Sequence, residues 1–138
     1  MSFWTKLAAS SQSSIFAAVK KGDLEKVKAL LKGNPDLVFI DDGRDGWTPL
    51  HYAAHWGHKD IAELLLASKA EVNARANDSL TPLHIAAAQD YKDVAELLLA
   101  NKAEVNARDD DDITPLHFAA DGGYKDVVEL VRQHGGHE

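Results

Sequence analysis

The chain has 138 residues, 45% of them hydrophobic, enough for one ordinary core or one short repeat array and too few for two comfortable domains. Its 22 acidic against 15 basic residues give a formal charge of -7, the wrong sign for neutralising phosphates, so nucleic acid is not an expected partner. Cysteine is absent, which excludes disulfides and thiolate chemistry, and no apolar run approaches bilayer thickness, so a soluble, unexported protein is expected.

Residues 1–14 read as an N-terminal extension, in which Phe3, Trp4 and Leu7 make one apolar helical face ahead of the serine-rich SSQSS. From Ile15, IFAAVKKGDLEKVKALLKGNPDLV shows a small-residue pair, a glycine and an apolar helix. The tetrad TPLH then begins at Thr48, Thr81 and Thr114, two intervals of 33 residues, and a period of that size means a stacked array. Past the tetrad, KDIAELLLASKAEVNAR from Lys59 returns as KDVAELLLANKAEVNAR from Lys92 and, truncated, as KDVVELVRQHGG from Lys125. The plan is a repeat domain over 15–138, with an N-terminal cap at about 15–43, repeats at about 44–76 and 77–109, and a C-terminal cap at about 110–138.

Local physics predicts the content of one unit. Thr48 is a good N-cap, and Pro49 suits the first helical position, where its missing donor would have had no partner. Leu50, Ala53 and Ala54 share an inward face, the alanines permit close approach of a neighbouring helix, and Gly57 is placed to end the helix in a left-handed conformation. A second helix from about Lys59 to Ala67 carries Ile61, Leu64 and Leu65 inward, and EVNARANDSLT supplies a hairpin-like connector to the next N-cap.

With G-x-TPLH-x-AA-x-x-GH and the apolar second helix ending in VNA, the chain resembles the ankyrin repeat family over about Ile15 to His134, close to its consensus. The resemblance implies an all-α solenoid of four stacked helix-turn-helix units with projecting β-hairpin-like loops. It also implies that His51, His84 and His117 are framework residues whose rings tie the helix start to the neighbouring loop, and that Asn73 and Asn106 pin the connector turn. By the family pattern, five positions that ordinarily hold glycine hold other residues here: Ser79 and Asp112 at loop tips, Asp90 ending a first helix, and Lys69 and Lys102 ending second helices. Each costs up to about 1 kcal/mol if its backbone is left-handed. Tyr91 and Tyr124 stand where histidine is usual.

Motifs for chemistry are weak. His55 and His58 form a helical i, i+3 pair that would serve a metal-dependent enzyme, the remotest reading. RDDDDIT resembles a calcium loop, but Thr114 and Ala120 fall where an EF-hand needs glycine and glutamate, so a solvated tip or an acidic contact is expected. Asn77-Asp78-Ser79 is a formal glycosylation sequon, relevant only to an exported chain. Nucleophile, phosphate-loop and cofactor motifs are lacking, so no catalysis, metal or cofactor is expected.

Positions at which the copies differ without a packing reason are where function belongs. Loop tips read Arg44-Asp45-Gly46-Trp47, Asn77-Asp78-Ser79-Leu80 and Asp110-Asp111-Asp112-Ile113, and first helices end in His55-Trp56, Ala88-Gln89 and Asp121-Gly122. By resemblance these line a concave groove that binds proteins, the positions diversified when designed ankyrin repeat proteins are selected. Trp47, Leu80 and Ile113 are expected as an apolar column at successive tips, with Trp56 near Trp47, and Tyr52, Ile85 and Phe118 as half core and half groove floor. The expected partner is a protein with an apolar pocket beside a basic region, since acid recurs at Asp45, Asp78, Asp110, Asp111, Asp112 and Asp121. Near-identical second helices, divergent groove positions and absent cysteines suggest an engineered or selected binder, monomeric by itself. The alternative is a natural, bacterial-style adaptor or inhibitor, which would be cytoplasmic.

Overall fold

The computed structural model describes the backbone of residues 3–138 and the side chains from Gln12 onward, so the expected apolar face of Phe3, Trp4 and Leu7 lies outside the described side chains. The helices are α1 (Phe3–Lys21), α2 (Leu24–Gly33), α3 (Pro49–Trp56), α4 (Lys59–Ala67), α5 (Pro82–Ala88), α6 (Lys92–Ala100), α7 (Pro115–Gly122) and α8 (Lys125–Gln133), with a 3-10 turn over Pro35–Phe39. Consecutive helices pair, and the pairs stack: α1, α3, α5 and α7 form one layer, and α2, α4, α6 and α8 the other. Among the described residues this is the stacked array that the 33-residue period predicts, with the all-helical, four-unit form that the resemblance implies. Helix α1 is continuous through Ser14 and Ile15.

Local sequence explains the helix ends. Thr48, Thr81 and Thr114 are extended N-caps whose side-chain oxygens accept the backbone N–H of His51, His84 and His117. Helix α3 stops at Gly57, in the left-handed region at φ 72°. A Cβ at Gly57 would lie 2.6 Å from the Tyr91 ring, so glycine there lets the following unit close down. That contact gives Tyr91 a role that the sequence left unexplained: its ring covers the end of the preceding first helix. His58 does the same one unit earlier, packing on Gly22 with Nε2 3.2 Å from the Lys20 carbonyl.

The core lies between the layers. Ala53, Ala54, Ala86, Ala87 and Ala119 are fully buried at the first-helix contacts, while Ile61, Leu65, Val94, Leu98, Val127 and Val131 fill the space beneath. Removing one such leucine or isoleucine side chain from water contributes about 1.5–3 kcal/mol, so the stacked interfaces hold most of the stability.

All five suspected non-glycine positions are left-handed: Lys69 at φ 74°, Ser79 at 67°, Asp90 at 61°, Lys102 at 70° and Asp112 at 62°. The family turns are therefore kept although their usual residue has been replaced. The connectors contain no strand among the described residues, but they are narrow: Ala76 N–H donates to the Leu80 carbonyl at 3.0 Å, and Asp109 N–H to that of Ile113 at 3.1 Å. Tips are also joined sideways, Asn77 N–H to the Asp45 carbonyl at 2.9 Å and Asp110 N–H to that of Asp78 at 3.0 Å. Asn73 pins the next connector rather than its own, donating to the Lys102 carbonyl and accepting Glu104 N–H, and Asn106 holds the Gly135 carbonyl and His137 N–H in the same way.

Candidate functional site

The loop tips are held from below by two buried histidines. Thr48 N–H donates to His51 Nδ1 at 3.0 Å, which makes Nδ1 the acceptor and leaves Nε2 protonated to donate to the Leu80 carbonyl at 2.9 Å. His84 repeats the arrangement, with Thr81 N–H at 3.1 Å and the Ile113 carbonyl at 2.8 Å. Each ring thus joins one helix start to the tip 29 residues on. His117 departs from the expected framework role. It is exposed, and among the described residues its ring makes no hydrogen bond.

Above this frame the candidate residues fall into two groups. Trp47, His55, Leu80, Ile85, Ala88, Gln89 and Phe118 surround a depression of about 190 Å³, with the edge of His84 in its wall. Ile85 is buried at its floor and Phe118 meets the His84 ring edge-on at 5.8 Å. Trp47 and Trp56 are linked through His55, whose ring centroid lies 5.4 Å from the first and 5.1 Å from the second, and Trp56 stands 48% exposed. Tyr52 does not line the depression but backs its wall, its ring 5.1 Å from that of Trp47. The Tyr52 ring packs on Phe16 at 5.4 Å under the Lys20 ammonium, and its hydroxyl donates to Asp42 at 2.6 Å.

The remaining polar candidates lie on the loop tips and, for Asp121, near the end of α7. Asp45, Asp78, Asp111 and Asp121 are exposed, while Arg44 and Asn77 are exposed but tied together, Asn77 Nδ2 donating to the Arg44 carbonyl at 2.9 Å. Asp110 accepts the Ser79 hydroxyl at 2.6 Å, so part of the acidic run is occupied within the protein. Ile113 is half-buried at the last tip and is not part of the depression.

Two acids outside the predicted set organise the tips. Asp42 Oδ1 accepts the N–H groups of Arg44, Asp45 and Gly46 at 3.0 Å and of Trp47 at 3.3 Å. Asp109 Oδ1 accepts those of Asp111 and Ile113 at 2.9 Å, so the calcium-like run is a turn held by its own second residue. An aspartate opening a turn was the available signal. Arg75 adds a clamp to the Arg108 carbonyl at 3.0 Å.

A profile described as ankyrin repeats in three copies matches residues 5–76 and 71–138. The chain belongs to the ankyrin repeat family. In the Xenopus tropicalis Notch-regulated ankyrin repeat-containing protein, 63 residues are 41% identical, covering 46% of this chain and 53% of that protein. The human protein phosphatase 1 regulatory subunit 27 is 39% identical over 69 residues, 50% of this chain and 44% of that one. The mouse 2-5A-dependent ribonuclease is 43% identical over 63 residues, 46% of this chain and 8% of its own length. The chain thus spans about half or less of these relatives.

Ankyrin repeats bind protein partners, and the family is generally a non-catalytic interaction module. Within this ankyrin array, no group of three or more His, Asp or Glu among the described residues is placed to hold a metal ion, and no described helix is long and apolar enough to cross a membrane. Electrostatics here serve the frame. Burial would raise the Asp42 carboxyl, but the Tyr52 hydroxyl and the tip N–H groups outweigh it and hold it below its usual value. Burial and the Asp42 carboxylate together push the Tyr52 hydroxyl up to about 12.

Burial lowers His51 and His84 below the ordinary histidine value, only partly offset by the Leu80 and Ile113 carbonyls and nearby aspartates. Both are neutral in the folded array, whereas unfolded histidines take up protons near about 6.5. The unfolded state then binds more protons, so stability is full above that value and lost as the pH falls toward the depressed native values. With two such groups the slope approaches about 2.7 kcal/mol per pH unit. A melting midpoint that drops between pH 7.5 and 5.5 is the expected result, and a flat profile would show that the rings are not held neutral.

Proposed function

We propose that this array binds one protein partner through its first-helix groove and loop tips, without chemistry. The observation that carries the reading is the aromatic-walled depression between Trp47, His55 and Phe118 beside exposed Trp56. Tryptophan is enriched among interface residues whose truncation costs about 2 kcal/mol or more, and a depression of this size accepts one apolar side chain. Contact is reciprocal: the partner inserts an apolar side chain between Trp47 and Phe118, its own apolar pocket takes Trp56, and its basic region meets Asp45, Asp78, Asp111 and Asp121. The hydrogen-bonded tips are ordered before the partner arrives, which lowers the entropic cost of association.

Near-identical second helices above divergent groove positions, with no cysteine, support an engineered or selected binder. The five left-handed non-glycine residues support the second reading, a natural adaptor or inhibitor acting in the cytoplasm, because optimisation of a scaffold would remove that strain without touching the groove. Quantitative pull-down from several proteomes tests the binding reading, comparing the native chain with Trp56→Ala and with the Trp47→Ala, Trp56→Ala pair. A partner bound by the native chain and weakened at least about 30-fold by Trp56→Ala, at unchanged melting, is the expected result. Partners retained equally by all three chains would remove the groove from consideration.

A further inference from the structure

The first unit departs from the repeat after its second helix. Helices α4 and α6 run through left-handed Lys69 and Lys102 into their connectors, whereas α2 is followed by the 3-10 turn Pro35–Phe39, capped by the Asn34 side chain, which accepts Asp36 N–H at 3.2 Å. Successive residues of a 3-10 turn point about 120° apart. Leu37 and Val38 are 1% and 2% exposed, so the two consecutive side chains that anchor the turn send the next one outward, and Phe39 stands 54% exposed. Phe39 and Trp56 are the large apolar side chains left exposed among the described residues, and they lie at separate sites.

Phe39 lines a depression of about 590 Å³ between the ends of α2 and α4, which shares no residue with the first-helix groove. Its apolar walls are Leu31, Pro35, Leu64 and Ala67, and its charged groups are Lys28, Lys32 and Lys69 against Asp36 alone. In a chain of formal charge -7 that balance runs against the whole molecule. The carbonyls ending α2 account for Lys32, the basic residue of its last turn, but not for all three lysines. Lys28 meets Glu25 at 3.4 Å in an exposed pair, a contact weak enough to exchange for another carboxylate.

We propose that this depression is a second docking site, for an acidic peptide segment of a partner that seats one apolar side chain against Phe39 and pairs its carboxylates with Lys28, Lys32 and Lys69. The apolar contact fixes position, and the lysines set charge preference and salt sensitivity. The exposed loop tips present acid and this site presents base, so the two faces select segments of opposite charge. The site stands whether or not the groove reading holds.

The test pans a displayed library of octapeptides, six positions Asp or Glu and two central positions randomised, against the full chain, and maps the enriched peptide by amide shifts on labelled protein. The expected result is enrichment of apolar residues at the randomised positions, with shifts around Leu31, Phe39, Leu64 and Lys69. Affinity measured by fluorescence anisotropy should fall at least tenfold in the Lys32→Glu, Lys69→Glu variant and at least fivefold in Phe39→Ser, and stay unchanged in Trp56→Ala. All variants lie on the surface, and their melting is checked. Failure to enrich, shifts centred on the first-helix groove, or equal binding of a peptide whose anchor is replaced by serine would each overturn the proposal, the last by reducing it to charge alone.

Discussion

Replacing His84 by alanine is expected to lower the unfolding free energy by about 3 kcal/mol, while the same change at His117 costs less than about 0.5 kcal/mol. The two residues occupy the same place in the same tetrad, so sequence context alone would assign them equal effects. His84 is fully buried, accepts Thr81 N–H at 3.1 Å and donates to the Ile113 carbonyl at 2.8 Å. Truncation leaves both groups without their partner and opens a cavity beneath the neighbouring tip. His117 is exposed with no ring bond among the described residues, so its loss removes little beyond a helix side chain. Urea unfolding of the two variants checks this. Equal losses would mean that the tetrad histidine acts by starting its own helix rather than by joining units.

A triple variant, Lys69→Gly, Lys102→Gly and Asp90→Gly, is expected to gain about 2 kcal/mol and to melt about 6–8 °C higher. The three residues hold φ values of 74°, 70° and 61°, where a Cβ crowds the backbone. Glycine relieves that strain, and the greater freedom it brings to the unfolded chain returns part of the gain, which keeps each site below about 1 kcal/mol. The lysines contribute most, since aspartate tolerates the left-handed region better. The three lie at separate turns, so their effects should add. No gain, or a gain at Asp90 alone, would show that the lysine turns have found a local compensation. Groove binding should be untouched, which distinguishes strain of the fold from strain serving function.

How far the sequence could be read follows from the range of each interaction. Helix starts at Thr48, Thr81 and Thr114, the span of α4, and the left-handed turns at Lys69 and Lys102 were legible because caps, helical periodicity and glycine substitutions act within a few residues. The meeting of Trp47 and Leu80 at one depression was legible for a different reason, since a fixed period places equivalent positions on one face, whereas Ile113 lies outside it. Asp42 was missed although its N–H partners lie within five residues, because the first tip is built differently from the other two and the comparison of copies hid it.

What only the tertiary structure decided are contacts between units. The fate of His117, the packing of Tyr52 on Phe16 behind Trp47, the closing of the depression between Trp47 and Phe118, and the outward turn of Phe39 depend on which neighbour is stacked above or below. A repeat tells each residue the same thing in every copy, and hydrogen bonds reaching 29 to 33 residues along the chain exist only where a next unit supplies the partner. By itself, then, the sequence determined the unit, its turns and the face it shows, while stacking decided which copies of a shared residue are buried, bonded or free to meet a partner.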